Sequence, residues 1–451
     1  MAFKCATAQT ALCLALMFIP SIASAQSDKV DEFVRTEMQK SKIPGLSIAV
    51  VKNGEIVKAK GYGLANVELG VPATPETIYQ SGSVGKQFIA TLVMMLVEQG
   101  KMGLDDPISK YIPDTPDMWK PITIRHLLRH TSGISNKFYE QINLRQDYTE
   151  DDLVKKIAVA PLDFQPGQSW IYSNAGYVML GILVHKATGK FYGDLLREKI
   201  FSPLGMAMAR IINEADIVMN RAAGYHLVNG ELKNQEWVSP TFNSTADGSL
   251  YFSILDMVKW DTALNSERLL RRASLEQMWT PVKTSDGQVK PYGFGWAIVD
   301  ANGHRLIEHG GAWQGFKAHI ARYIDDRLSV IVLANLANAD PGRIAHTIAG
   351  FYVPEVAPRE HKEAAIDKKP FSLYVGNYEI ATGITISITR EAEKFYARVA
   401  SQQSAEIFAE SETEFFEKAA DIQFTFVKDA MGTVTGLILH QNGNFEAKKM
   451  K

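Results

Sequence analysis

Cysteine is nearly absent. The 451-residue chain has two, Cys5 and Cys13, both within its first 25 residues. Proline and glycine are also sparse, at 18 and 33 residues, which excludes a collagen-like or Pro/Gly-rich protein. Neither sign of charge dominates: 48 basic residues face 50 acidic ones, a net charge of −2. A nucleic-acid-binding surface needs a basic field, and this balance supplies none. The shortage of apolar residues that marks disordered chains is missing too, since 46% apolar and 22% charged residues are globular values. No apolar run approaches the roughly 20 residues of a membrane span.

The first 25 residues read as an export leader. Lys4 gives a basic start, Ala11 to Ile19 an uncharged apolar run, and Ala23-Ser24-Ala25 a small-x-small cleavage site. Both cysteines would leave with it. The mature chain, from Gln26, would then have no disulfide, no thiol nucleophile and no cysteine-bound metal. Lys4 is the one charge lost, leaving 47 basic against 50 acidic residues. The expected location is periplasmic or secreted.

Hydrophobic patterning divides the remainder. Val30 to Met38 has helical spacing. Gly45–Val51 and Glu55–Lys60 read as strands joined at Asn53-Gly54, a strong hairpin signal. A second hairpin is expected from Phe316–Tyr323 and Leu328–Leu333 around Asp325-Asp326. Helical patterns, such as Gly85–Gln99 and Gly176–Ala187, fill the interval. Early strands, helical middle and late strands suggest one sheet closed by both ends of the segment, an α+β architecture. Residues 354–370 are rich in Pro, Glu, Lys and Arg and read as a linker. Beyond them the period becomes two, with Ile384, Ile386 and Ile388, then Ile422, Phe424 and Phe426, and turn signals at Asp429–Gly432 and Asn442-Gly443. A small all-β sandwich or barrel is expected at 371–451.

Three motifs could carry chemistry. Ser83-Val84-Gly85-Lys86 is the one S-x-x-K in the chain. On a helix beginning near Ser83 the two side chains share a face. Serine needs a neighbouring base to become a nucleophile, and lysine serves if burial lowers its pKa. The following segment, Phe88 to Val97, is apolar almost all round and belongs in a core, which supplies that burial. The alternative is a serine N-cap with an exposed lysine one turn later. Tyr172-Ser173-Asn174 offers a tyrosine that could relay protons if a lysine lowered its phenol pKa, and an amide that can bind an amide-like substrate. The alternative is a packed ring with Asn174 as a helix N-cap. His309-Gly310-Gly311 precedes the late hairpin. Its glycines permit close backbone approach, so the Ala312 N–H could complete an oxyanion hole with that of Ser83. The alternative is a glycine turn beside an incidental histidine.

Competing patterns are incomplete. A G-x-S-x-G elbow fails because Ser81 stands where the first glycine belongs. No metal-ligand spacing occurs among the histidines. His126 and His130 are four apart without accompanying carboxylates, which fits packing histidines. Gly61-Tyr62-Gly63 lacks the third glycine of a dinucleotide fingerprint. No cofactor is expected.

In this order and with these separations, the three motifs resemble the serine β-lactamase and penicillin-binding-protein superfamily. Residues 61–86 (GYGLANVELGVPATPETIYQSGSVGK), 122–134 (ITIRHLLRHTSGI), 166–181 and 309–316 (HGGAWQGF) look like its class C branch. The resemblance covers about Asp28 to Phe351. It implies an antiparallel sheet flanked by helices, plus an all-helical subdomain, with the site between them. The tail is similar to lipocalin-like β-domains appended to D-aminopeptidase and esterase relatives. The implied layout is a leader at 1–25, a hydrolase domain at 26–353, a linker at 354–370 and a β-barrel-like domain at 371–451.

The resemblance also implies roles. Ser83 would be the acylated nucleophile, with Lys86 and Tyr172 sharing its proton. Asn174 would hold the amide of the acyl side chain. His309, Gly311 and Ala312 would line the substrate site. His309 stands where class C β-lactamases usually carry lysine, and a histidine, mostly neutral at pH 7, suits a substrate carboxylate poorly. Asp247 departs from an alanine–glycine–glycine segment and has no assigned role. The expected activity is serine hydrolysis of D-amino-acid peptides, amides or small esters through an acyl-enzyme. A β-lactamase, a DD-carboxypeptidase or penicillin-binding protein, and a non-catalytic envelope binding protein are the alternatives. The expected partner is a small-molecule or peptide substrate, with neither nucleic acid nor a membrane span involved, and oligomeric state is left open.

Overall fold

The computed structural model describes residues 22–359, 361–364, 369–381, 384–399, 404–417, 422–440 and 444–450. The expected leader lies outside them except for its last four residues, which open helix α1 (Ile22–Ser41). The Asn442-Gly443 turn also lies outside.

A seven-stranded antiparallel sheet organises the larger unit. Its strands are β1 (Gly45–Lys52), β2 (Glu55–Asn66), β3 (Val71–Pro72), β4 (Ala297–Ala301), β5 (His304–Trp313), β6 (Phe316–Tyr323) and β7 (Leu328–Ala334), in the order β4-β5-β6-β7-β1-β2-β3. Early and late segments meet where β1 pairs with β7, Leu46 opposite Ala334. The expected closure of the sheet by both ends is thus present. β1 is buried along nearly its whole length, because it lies centrally with layers on both faces. At the β1–β2 turn Asn53 and Gly54 both adopt positive φ, 54° and 84°, as a tight hairpin requires.

Two cores flank this sheet. On one face α1 and α5 (Pro341–Tyr352) bury Val30, Val34, Ile344 and Ile348 against Leu46, Val330 and Val332. On the other lie α2 (Lys86–Glu98), α3 (Asn174–Thr188) and α4 (Ile254–Leu264), around Phe88, Leu92, Leu180 and Trp260. α2 is buried nearly all round, as its sequence requires, and Phe88 packs on Trp260 with ring centroids 4.2 Å apart. α3 begins at Asn174, two residues earlier than its apolar pattern suggests. Ser173, not Asn174, is the N-cap, accepting a hydrogen bond from the Gly176 N–H.

The tail has its own core. Eight strands from β8 (Gly376–Ala381) to β15 (Asn444–Lys449) form a closed barrel, β8 pairing with both its successor and β15. Ile386, Ile388, Phe424 and Phe426 point inward, following the period-two pattern.

A buried ion pair ties α4 to the sheet. Arg322 on β6 donates to Asp261 at 2.6 Å and to the Asn265 side chain at 2.7 Å, while Ser329 also donates to Asp261. Arg322 and Asp261 are each only 1% exposed. Removing one partner leaves an uncompensated charge in the core. Asp261→Ala should therefore cost about 3–5 kcal/mol in urea unfolding followed by the fluorescence of Trp279 and Trp296, which flank Arg322. A loss below about 1 kcal/mol, the range of exposed pairs, would contradict this account.

Candidate active site

The turn from Gly82 to Gly85 is 3-10 in form, and α2 starts at Lys86. Side chains three apart eclipse in such a turn, so Ser83 and Lys86 face the same way. The Lys86 Nζ donates to Ser83 Oγ at 2.8 Å, to Asn174 Oδ1 at 2.8 Å and to the Asp247 backbone oxygen at 2.5 Å. Three acceptors match the three N–H bonds of an ammonium. The side chain is fully buried. Burial pushes its amine down from 10.5 to about 8, with the Asp247 carboxylate opposing the shift.

Tyr172 is close by, and the Lys86 Nζ sits 5.0 Å from its ring centroid. Its hydroxyl is buried beside the Ser83 hydroxyl. The sequence suggested a phenol made more acidic by the lysine. The structure shows the opposite: desolvation raises it well above the usual range, with the Ser83 hydroxyl pulling back. Tyr172 is therefore a neutral phenol, and Lys86 is the group moved toward neutral pH. Asn136 holds this segment, donating to the Tyr172 carbonyl at 2.8 Å and accepting from the Ala175 N–H.

His309 lies on β5, nearly buried. Its Nδ1 faces the Gly310 carbonyl at 2.6 Å, so that nitrogen carries the hydrogen, and its Nε2 accepts from the Tyr292 hydroxyl at 2.9 Å. Burial and the nearby Lys86 cation push it down to about 3. It is a neutral imidazole at any ordinary pH.

Two glycines bring β5 against the serine turn. A Cβ on Gly311 would stand 2.1 Å from the Ser81 oxygen and 3.0 Å from the Ser83 nitrogen. A Cβ on Gly82, at φ 49°, would stand 2.2 Å from the Ala312 nitrogen. The backbones of Ser83 and Ala312 are neighbours for this reason.

Ser83 opens onto two cavities. One, of about 320 Å³, is lined by Asn174, Tyr139, Asp247 and Trp313. There Tyr139 donates to Asp247 Oδ2 at 3.1 Å, and the Trp313 indole donates to Asn243. The other, of about 730 Å³, runs past Tyr172, Tyr292 and His309. The barrel borders it, with Ile422 among its lining residues and Phe445 stacked on Trp170, ring centroids 6.5 Å apart.

All seven residues singled out from the sequence, Ser83, Lys86, Tyr172, Asn174, His309, Gly311 and Ala312, thus converge. Asn136, Tyr139, Tyr292 and Trp313 were missed, because a single residue whose role comes from tertiary neighbours leaves no pattern in a single sequence. His126 and His130 are packing residues. His126 accepts from the Thr123 N–H, and His130 accepts from the Ser173 N–H while lying against Tyr172.

The β-lactamase family model matches residues 30–353. The chain belongs to the β-lactamase family. A second family model, a domain of unknown function (DUF3471), matches residues 360–451. Penicillin-binding protein 4* of Bacillus subtilis (strain 168) is 30% identical over 427 residues, covering 89% of this chain and 93% of the relative. A D-aminopeptidase of Gluconobacter oxydans (strain 621H) is 28% identical, covering 76% of this chain and 65% of the relative. Among solved structures, the octameric penicillin-binding protein homologue from Pyrococcus abyssi superposes with a TM-score of 0.67 at 28% identity, covering 94% of this chain and all of the other.

The close approach of β5 yields a prediction. Gly311→Val adds a Cβ and two methyl groups where the Ser81 carbonyl already stands. It should lower the rate of fluorophosphonate labelling of Ser83 at least about tenfold, the effect of losing about 1.4 kcal/mol of transition-state stabilisation. The circular dichroism spectrum should stay that of the wild type. Labelling at the wild-type rate would show that this approach is irrelevant to reactivity.

Proposed function

We propose that this chain is a serine hydrolase of the class C β-lactamase-like branch, which forms an acyl-enzyme at Ser83 and acts on D-amino-acid amides and peptides, and on small esters. The observation that carries the proposal is the buried Lys86 amine within hydrogen-bond distance of Ser83 Oγ. The leader motif supports action outside the cytoplasm, in the periplasm or as a secreted enzyme.

The chemistry follows from the protonation of Lys86. As an ammonium it spends all three N–H bonds on Ser83, Asn174 and Asp247. As a neutral amine it keeps two, and the contact with Ser83 reverses: the serine O–H donates to the nitrogen lone pair. Ser83 Oγ then attacks the substrate carbonyl carbon as its proton passes to Lys86 Nζ. The Ser83 and Ala312 N–H groups face the oxygen that gains charge. When the scissile C–N bond breaks, the leaving amine takes a proton from the Tyr172 hydroxyl, which Lys86 replenishes. Water, activated by the same pair, releases the acid and restores Ser83.

Substrate charge is set by the two cavities. His309, being neutral, gives a substrate carboxylate no cation to bind. Asp247 places a carboxylate in the smaller cavity beside Asn174, where it suits the free ammonium of an amino-acid amide or N-terminal residue. The D-aminopeptidase relative supports this choice over β-lactam turnover.

Three outcomes are expected from a panel of p-nitrophenyl acetate, D- and L-aminoacyl amides and nitrocefin. Ser83→Ala should abolish wild-type turnover; turnover unchanged in that variant would favour the binding-protein alternative. For the uncharged acetate ester, kcat/KM should rise as pH increases through about 8, because the neutral fraction of Lys86 grows, and level off above it. A profile already flat from pH 6 would remove Lys86 as the base. Compared on the high-pH plateau, where Lys86 is neutral with or without the opposing Asp247 carboxylate, Asp247→Asn should lower kcat/KM for free-amine substrates by about 10–100-fold, the value of one charged hydrogen bond, and leave the acetate ester unaffected. Equal effects on both substrates would refute ammonium recognition.

A further inference from the structure

Behind His309, on the opposite face of β5, three side chains converge. Glu308 on β5, His319 on β6 and His346 on α5 come from three separate elements. The Glu308 Oε2 lies 3.0 Å from His319 Nε2 and 2.6 Å from His346 Nε2. The three donor atoms all lie within 4.8 Å of one another. Glu308 and His319 are buried, and His346 is half-buried.

We propose that Glu308, His319 and His346 form a binding site for a divalent transition-metal ion, with zinc as the best chemical match. Two imidazole nitrogens and one carboxylate oxygen are a zinc donor set. Zinc bonds of about 2.0–2.2 Å in a tetrahedron place donors about 3.3 Å apart. The cluster reaches that spacing by opening its two carboxylate–imidazole distances, by about 0.3 and about 0.7 Å, the two imidazole nitrogens lying within 4.8 Å of each other. The fourth position faces the 730 Å³ cavity, which all three side chains line, so a water can complete the shell and the ion can enter.

A second observation concerns the ring of His319. It is seated between two glycines. A Cβ on Gly310 would lie 3.4 Å from its Nδ1, and one on Gly342 would lie 3.3 Å from the same atom. The missing side chains leave room for this ring between β5 and α5, with Nε2 directed at the carboxylate. That orientation is fixed before any metal arrives. The neighbouring charges fit as well. Arg343 lines the same cavity, but its charge is matched by Glu37. Asp340 lies at the start of α5, where its carboxylate accepts from the Arg343 N–H. No spacing rule could reveal this site, because its ligands are 11 and 27 residues apart and on different elements.

The ion would join α5 to the sheet on the wall of the larger cavity that Ser83 also lines. The inference stands on this cluster alone and does not depend on the hydrolase reading. Its test uses the full-length protein, stripped with EDTA. Titration with zinc chloride followed by calorimetry should give one tight equivalent, together with a rise in Tm. Cobalt(II) chloride in its place should give the intense visible absorption of a four-coordinate nitrogen- and oxygen-ligated ion. His346→Gln and Glu308→Gln should each lose that equivalent and that spectrum, while His226→Ala, remote from the cluster, should retain both. The half-buried His346 makes its variant the safer to fold, and its apo Tm checks this. No binding by the wild type, a pale six-coordinate cobalt spectrum, or an equivalent that survives in both ligand variants would overturn the proposal.

Discussion

The site depends on keeping one amine out of water. Lys86 opens a helix that is buried on almost every side, and desolvation brings its affinity for a proton close to neutral pH. Three oxygen acceptors around the Nζ keep the charged form from being an unsatisfied cation. The balance is narrow by construction: enough acceptors to bury a lysine at all, and enough desolvation for it to lose its proton when Ser83 reacts. The rest of the fold serves this arrangement. α2 needs a core on all sides, α3 supplies Asn174, and β5 can reach the serine turn only because residues 82 and 311 are glycines.

The same buried charge organises its neighbours. Lys86 and burial together hold His309 neutral, and the Tyr292 hydroxyl and Gly310 carbonyl fix its tautomer. Tyr172 stays a phenol because its hydroxyl is dry. The smaller cavity then presents the Asp247 carboxylate, while His309 lines the larger one. A neutral histidine in one cavity and a carboxylate in the other are what the proposed choice of an amine over an acid rests on. Phe445 on Trp170, and Ile422 on the cavity wall, place part of the barrel on the lining of the larger cavity.

Much of this was legible in the sequence, for identifiable reasons. The two hairpins announce themselves by Asn53-Gly54 and by alternating apolar residues. α2 shows as an unbroken apolar stretch, and the tail shows as period two. Ser83 and Lys86 stand out because their spacing is unique in the chain. What failed to show depends on tertiary neighbours. A Tyr172 relay was conditional on a lysine lowering its phenol pKa, but burial and the Asp247 carboxylate raise it instead. The alternative reading of Asn174 as a cap fails, since Ser173 takes that place and leaves the amide to Lys86. Tyr139, in a short 3-10 helix, and Tyr292 carry no motif, and only the fold brings them to Asp247 and His309. Asp247 was visible as an oddity, but its meaning required the cavity it lines.

The central claim is that Ser83, activated by Lys86, carries the acyl group of the substrate. Mixing the protein with a D-aminoacyl p-nitrophenyl ester, quenching in acid within the first turnover and mapping the digested peptides by mass spectrometry tests it most directly. The account predicts one added acyl mass on the peptide containing Ser83, accumulating in the wild type and missing in Lys86→Met. Product formation with no acyl mass on Ser83 at any time, or the same mass appearing equally fast without the lysine, would contradict it.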